Sequence, residues 1–193
     1  TEIYTLPYTT LFRSSIGKAG HGKDTFARIL GEEIEKRGKT SLTLHFADLV
    51  KFYATQYQKW DGQKDQQGRA LLQKIGNDTF RDYDPDYWAR ITAVGAAVFG
   101  VYFNYDYILI PDTRYPNEIE QVKKYNSNTC VVKIVRRDEN GNIYNNPNLT
   151  KEQKQNPSET SLDNYSEFDY IITNYDYDFE YLKEASNYIL DLE

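Results

Sequence analysis

An α/β sandwich built on a parallel sheet is the fold this sequence predicts, and three observations predict it. Gly17, four residues, then Gly22-Lys23 match a phosphate-cradling turn, and the segment after it has apolar residues at helical spacing. Tyr107-Ile108-Leu109-Ile110 is a short apolar run closing on Pro111-Asp112, the form of a strand buried on both faces. Strand-like runs then alternate with helix-like ones, which implies parallel pairing with right-handed helical crossovers. The expected product has three layers, α/β/α, with a mainly helical insert near residues 50–100 and a lid near 137–158.

Thr1–Ser14 looks like the translated product of a sequencing-library adapter. The run Leu11-Phe12-Arg13-Ser14-Ser15-Ile16 is a poor buried strand, with three polar residues just before the loop. Residues 1–14 are therefore expected to be non-native or disordered, leaving one domain over 15–193. A helix is expected from about Lys23, with Phe26, Ile29, Leu30 and Ile34 on its apolar stripe and Gly38 as its stop. Ser41–Phe46 alternates as a strand does, and Asp48 is placed to cap a helix running through Phe52, Tyr53 and Tyr57. Trp60–Gly68 reads as a loop, Arg69–Gly76 as a helix ended by Gly76, and a helix opening at Pro85 extends to Val98. After the Tyr107–Ile110 strand comes a helix containing Ile119 and Val122, then a strand over Cys130–Val135 ending in Arg136-Arg137. Asp138–Pro157 has no apolar period, and so long a segment inside a compact domain is expected to be a lid or disordered. A short helix at 158–163, a strand over Phe168–Asn174 and an amphipathic helix from Phe179 to Leu192 complete the chain.

The loop carries the chemistry. The amides of Gly17, Ala19, Gly20, His21 and Gly22 can turn inward on an anion because glycine takes positive φ cheaply, and the following helix N-terminus faces the same anion. Lys23 adds a mobile point charge for β- and γ-phosphates. Asp24 stands where the motif has Ser or Thr, so a carboxylate is offered to Mg²⁺ in place of a hydroxyl, and Thr25 can still reach a phosphate. Asp112, at the end of its strand, reads as a second metal partner, with a turn or helix cap as its plainer role. His45 and Cys130 read as strand residues. The formal charge of −6 and pI near 5.1 argue against a nucleic-acid polymer as partner, and no apolar run has the length of a membrane span. A single cysteine and the lack of a visible secretory leader suit a reduced, cytoplasmic setting, as a monomer or homodimer.

From about Ile16 onward the chain resembles the deoxynucleoside monophosphate kinases of phages, within the P-loop nucleotide kinase superfamily. The resemblance rests on ordered fragments: Gly-Lys-Asp-Thr at 22–25, Phe-Ala-Asp at 46–48 with Lys51, and Leu-Leu-Gln at 71–73 with Gly76 and Arg81. Asp-Tyr-Trp at 86–88, Asp-Thr-Arg-Tyr-Pro-Asn-Glu at 112–118, Ser-Glu at 158–159 and Ile-Ile-Thr-Asn at 171–174 continue it. Asp after the loop lysine is usual in this group; Asn156 replaces a histidine that several members carry before Pro-Ser-Glu. The resemblance implies transfer of the γ-phosphoryl group of ATP, with Mg²⁺, to a deoxynucleoside 5′-monophosphate. It implies Lys23 and the loop amides on the β/γ-phosphates, Thr25 on the α-phosphate, and Asp24 with Asp112 around the metal. Arg69, Arg81 and Arg114 would hold the acceptor phosphate; Asp48, Lys51, Gln73 and Glu118 would shape the sugar or base pocket. Arg136 or Arg137 would close on the transferring group with the lid. Two other readings stand beside it: another small-molecule P-loop kinase, of the phosphomevalonate or dephospho-coenzyme A type, and a non-catalytic nucleotide-binding protein.

Overall fold

The structure, a computed structural model, describes residues 10–63, 65–175 and 178–192. Its strands are β1 (Leu11–Ile16), β2 (Ser41–Thr43), β3 (Tyr107–Thr113), β4 (Thr129–Arg137) and β5 (Tyr170–Tyr175). Its helices are α1 (Lys23–Lys36), α2 (Ala47–Gln58), α3 (Gln66–Gln73), α4 (Phe80–Tyr83), α5 (Tyr87–Tyr102), α6 (Pro116–Tyr125), α7 (Lys151–Lys154), α8 (Pro157–Thr160) and α9 (Phe179–Asp191). The strands form one parallel sheet in the order β2-β3-β1-β4-β5.

Alternation along the buried strands builds the two outer layers. Leu109, Val132, Ile134 and Ile172 face Phe26, Leu30 and Ile34 of α1 and Leu182 and Ile189 of α9. Phe12, Ile108 and Ile110 point the other way, onto Ala89, Ala93, Ala96 and Ala97 of α5 and Val122 of α6. The alanine face of α5 lets that helix approach the sheet closely. The three-layer α/β/α class is the one the sequence predicts.

Three local outcomes differ from expectation. The sheet begins at Leu11, inside the segment set aside as non-native or disordered; residues 1–9 lie outside the described residues. β1 is the central strand, paired on both sides, and backbone pairing outweighs its polar side chains. Those side chains are buried but accommodated. Ser14 Oγ lies 2.6 Å from Thr113 Oγ1, and Arg13 donates to the Phe12 carbonyl at 2.8 Å and lies over the Tyr107 ring. Second, Gly76 does not end a helix: α3 begins at Gln66, capped by Asp65, and passes at Lys74–Thr79 into a π-helical turn. There the Gly76 carbonyl accepts the Trp88 indole N–H at 2.9 Å, a bond that ties the insert to the buried start of α5. Third, the 138–157 segment is not featureless. Arg137 and Ile143 form an antiparallel bridge at its base, Asp138 closes the turn between them, and α7 carries a Thr150/Gln153 capping box.

Candidate active site

The loop between β1 and α1 is held from three sides. Gly20 and Gly22 have φ of 83° and 94°, the left-handed conformation that lets successive amides of such a loop turn inward. From β5, Asn174, fully buried, donates its side-chain N–H to the His21 carbonyl at 3.1 Å and fills the space a Cβ on Gly22 would need. From β4 and the lid base, His21 is clasped between the Arg136 amide, which donates to Nδ1 at 3.3 Å, and the Tyr144 carbonyl, 3.1 Å from Nε2. With Nδ1 accepting, Nε2 carries the proton, so the ring is neutral; burial lowers its pKa and keeps it so. Lys23 is 5% exposed and donates to the Lys18 carbonyl at 3.2 Å. Burial first, and then the Arg114 charge, push its pKa down to about 8.

Beside the loop lies a cavity of about 410 Å³ between α2, α3, the π turn, α6 and the lid. Lys51, Arg69, Gln73, Arg81, Arg114 and Glu118 all line it, together with Asp112 and Asn156. Four separate fragments of sequence thus converge on one space. Apolar Phe46, Val50 and Leu72 and the amide side chains Gln73 and Asn77 form part of the same wall. A second cavity, of about 680 Å³, runs along the outer side of the loop, with Lys18, Lys133, Arg137 and Lys154 on its walls. Arg114 and Glu159 line both. They stand at the junction as an ion pair, and the other Glu159 oxygen accepts the Ala19 amide at 2.8 Å.

Several side chains take other positions than the sequence suggested. Glu118 lies in the cavity wall with its carboxylate turned inward: it is 1% exposed and braces the start of α6. Oε2 accepts the amides of Arg114 at 2.7 Å and Tyr115 at 3.1 Å, and Oε1 binds Arg81 at 2.6 Å. Arg81 then lies 4.1 Å from the Tyr115 ring centre, aimed by both partners. Burial raises the Glu118 pKa to about 6, against the lowering effect of Arg81. Asp112 takes the helix-capping role: its two oxygens accept the Phe46 and Ala47 amides at 2.9 and 3.1 Å, and burial raises its pKa. Asp48 neither lines the 410 Å³ cavity nor supplies that cap. It accepts the His45 amide at 2.9 Å and the Lys51 ammonium at 3.0 Å. Arg136 is buried, stacked 3.9 Å from the Tyr144 ring centre, with a guanidinium N–H toward the Gly20 carbonyl at 3.4 Å, so it ties the base of the 138–157 segment to the loop. Arg137 bonds the Gly141 carbonyl at 2.6 Å and lines the second cavity only.

Three participants were missed. His45 is not a strand residue, since β2 ends at Thr43; it lies 3.6 Å from Asp24 and 3.5 Å from Asp48, and the Asp24 interaction raises its pKa. Asn174 and Glu159 were inside quoted fragments, but nothing in their spacing says that they reach the loop. Cys130 behaves as read, a strand thiol with its pKa pushed by burial up to about 11.

A glycine-rich loop between a central parallel strand and a helix, with a cation-lined cavity beside it, is set in a five-stranded parallel α/β/α fold. A sugar kinase from Janibacter sp. HTCC2649 has the same fold, with a TM-score of 0.55 at 15% identity over 94% of this chain and 95% of that one. A putative kinase from Chloroflexus aurantiacus J-10-fl gives 0.51 at 11% identity over 96% of each chain. No protein-family model matches the sequence, and no curated protein does. The similarity is one of fold. Among the described residues, no helix is long and apolar enough to cross a membrane.

Proposed function

We propose that the protein is an ATP-dependent kinase that phosphorylates deoxynucleoside 5′-monophosphates to diphosphates. The observation that carries this reading is the acceptor cavity, where Lys51, Arg69, Arg81 and Arg114 line one space that meets the loop at Arg114. Both reactants are anions, and the transition state spreads charge over the transferring oxygens, so positioning and neutralisation make up most of the catalysis. The loop amides and Lys23 bind the β- and γ-phosphates of ATP, and Thr25 binds the α-phosphate. Arg69 and Arg81 hold the acceptor phosphate, while Arg114 neutralises the group in transit. Gln73 and Asn77 supply hydrogen-bonding edges for a base against the apolar wall of Phe46, Val50 and Leu72. Arg136 acts as a positioning residue for the loop.

The donor set fits Mg²⁺ held mainly by phosphates and water. Among the described residues no three His, Cys, Asp or Glu side chains form a metal cage, whereas the Asp24 carboxylate is 80% exposed at the loop edge. Asp24 would contact the ion, and Asp112, with its oxygens already on amides, would act through water. The ion, when bound, supplies charge neutralisation at the β- and γ-phosphates.

Two carboxylates on the wall of the acceptor cavity, Asp112 and Glu159, also suit a hydroxyl acceptor that needs a base, as a small-molecule kinase of another type would. A coupled ADP-release assay separates the two. The panel is the four deoxynucleoside monophosphates, their ribose counterparts, hydroxyl acceptors (a hexose, shikimate) and an acceptor-free blank, with Lys23→Ala as control. Release that depends on a deoxynucleotide and disappears in the variant is expected. Release with a hydroxyl acceptor alone would replace this reading with the second, and ATP binding with no release above blank would reject both.

A further inference from the structure

We propose that Glu159 is a built-in occupant of the phosphoryl-transfer seat, a carboxylate that nucleotide binding must expel before the second cavity, which borders the loop and would take the donor, can join the acceptor cavity. This rests on reading the loop as a triphosphate site. The two oxygens of Glu159 hold the two groups a transferring phosphate would take: the Ala19 amide at 2.8 Å and the Arg114 guanidinium. One carboxylate oxygen takes the guanidinium and the other the amide, the division that two oxygens of one phosphate would make between the same donors. The side chain is 11% exposed and lies on the shared wall of both cavities, with Ser158 and Leu149 beside it. Lys23 remains on the Lys18 carbonyl, 3.2 Å away, so the loop's strongest charge is not committed to the carboxylate. The segment is latched a second time where Asp163 meets Lys18 at 2.9 Å, but that pair is about half exposed and adds little. Arg114 also donates to the Ser158 carbonyl at 3.1 Å, and Leu162 packs against Ile16, Ile119 and Val131; Glu159 is the tie a phosphate displaces, and its departure must loosen these two.

Incoming phosphate oxygens claim the same amide and the same guanidinium, and they bring several negative charges next to the carboxylate. Like charges at that distance repel strongly in a site shielded from water. Glu159 therefore leaves, residues 157–163 move with it, and the wall between the cavities opens. Joining of donor and acceptor sites is thereby conditional on the donor being in place, and the transfer seat is shut to water in its absence.

Hydrogen exchange on the intact wild-type protein, with and without inorganic tripolyphosphate, tests this without any substitution. Protection of 17–23 together with exchange at least about tenfold faster over 157–163 is expected. Protection at the loop with unchanged or slower exchange over 157–163 would overturn the proposal and leave the triphosphate reading standing. Failure of tripolyphosphate and ATP alike to bind or to protect the loop would remove that reading and this proposal with it. Glu159→Gln gives an independent check, since it keeps shape and an acceptor oxygen for the Ala19 amide but loses the charge. With its fold confirmed by thermal melting, it should bind tripolyphosphate about fivefold more tightly. Equal or weaker binding would mean that Glu159 merely braces the loop.

Discussion

In the proposed function Lys23 supplies the loop's charge to a phosphate, and its surroundings decide when that charge exists. With a pKa of about 8, lowered by burial and then by Arg114, the ammonium is largely protonated at neutral pH and largely lost above 9. A bound phosphate favours the charged form, so binding above pH 8 must take up a proton. The dissociation constant for ATP should therefore rise about tenfold per pH unit beyond 8, with proton uptake visible by calorimetry in buffers of different ionisation enthalpy. An affinity constant from pH 7 to 9.5 would place the phosphates elsewhere. Gly17 tests the frame of the same loop. A Cβ there would sit 2.5 Å from the Ile134 carbonyl, a backbone atom that cannot swing away. Gly17→Ala should cost about 1–3 kcal/mol in chemical denaturation and weaken ATP binding, because β1 and β4 must separate to admit the methyl. At this scale the loop was legible because its constraint is local: glycines, a lysine and a helix start lie within nine residues. Glu159, Asn174 and His45 reach it across 140, 153 and 21 positions of sequence, and no spacing rule encodes such contacts.

At the scale of elements, α6 organises the acceptor side through Glu118. One buried carboxylate caps the helix and aims Arg81, while the residue it caps through, Arg114, turns toward the loop. Glu118→Ala should destabilise the fold by about 3 kcal/mol, since it leaves Arg81 without its anion and two amides without an acceptor. Glu118→Gln retains an acceptor and should cost less, yet raise the acceptor KM about tenfold with little change in that for ATP. The pH dependence has a definite sign. The native pKa of about 6 lies above the ordinary glutamate value of 4.5, so the native state binds the extra proton between them. Relative to Glu118→Gln, the wild type should gain on the order of 1–2 kcal/mol as pH falls from about 6.5 to 4.5, and lose it as pH rises through 6. Urea unfolding at several pH values reads this directly. The sequence predicted α6 from Pro116 and its apolar period, and it placed Glu118 near the substrate. It could not show that the side chain folds back onto its own helix start, because an acidic residue in a first turn serves a cap or a ligand equally well. The π turn was hidden for a related reason: Gly76 signals a stop locally, and only the distant Trp88 indole gives its carbonyl another use.

Across the whole molecule, sheet order turns separate fragments into one site. Placing β1 between β3 and β4 brings the loop next to the end of β3, where Asp112 leads into Arg114, and next to the end of β4, where the lid begins. Fold class was readable because alternation of strands and helices fixes topology even where one strand is poor. The starting point of the sheet was not, since polar side chains in β1 conceal a strand whose backbone is paired on both edges. Arg114 lines both cavities, so in the proposed function it is the residue on which transfer between them depends. Single-turnover transfer from labelled ATP to a deoxynucleoside monophosphate, wild type against Arg114→Ala at saturating concentrations of both reactants, tests this most directly. A slowing on the order of 10³, with ATP still bound and the fold intact, is the expected result. Transfer within about threefold of the wild-type rate would contradict a phosphoryl-transfer seat at Arg114.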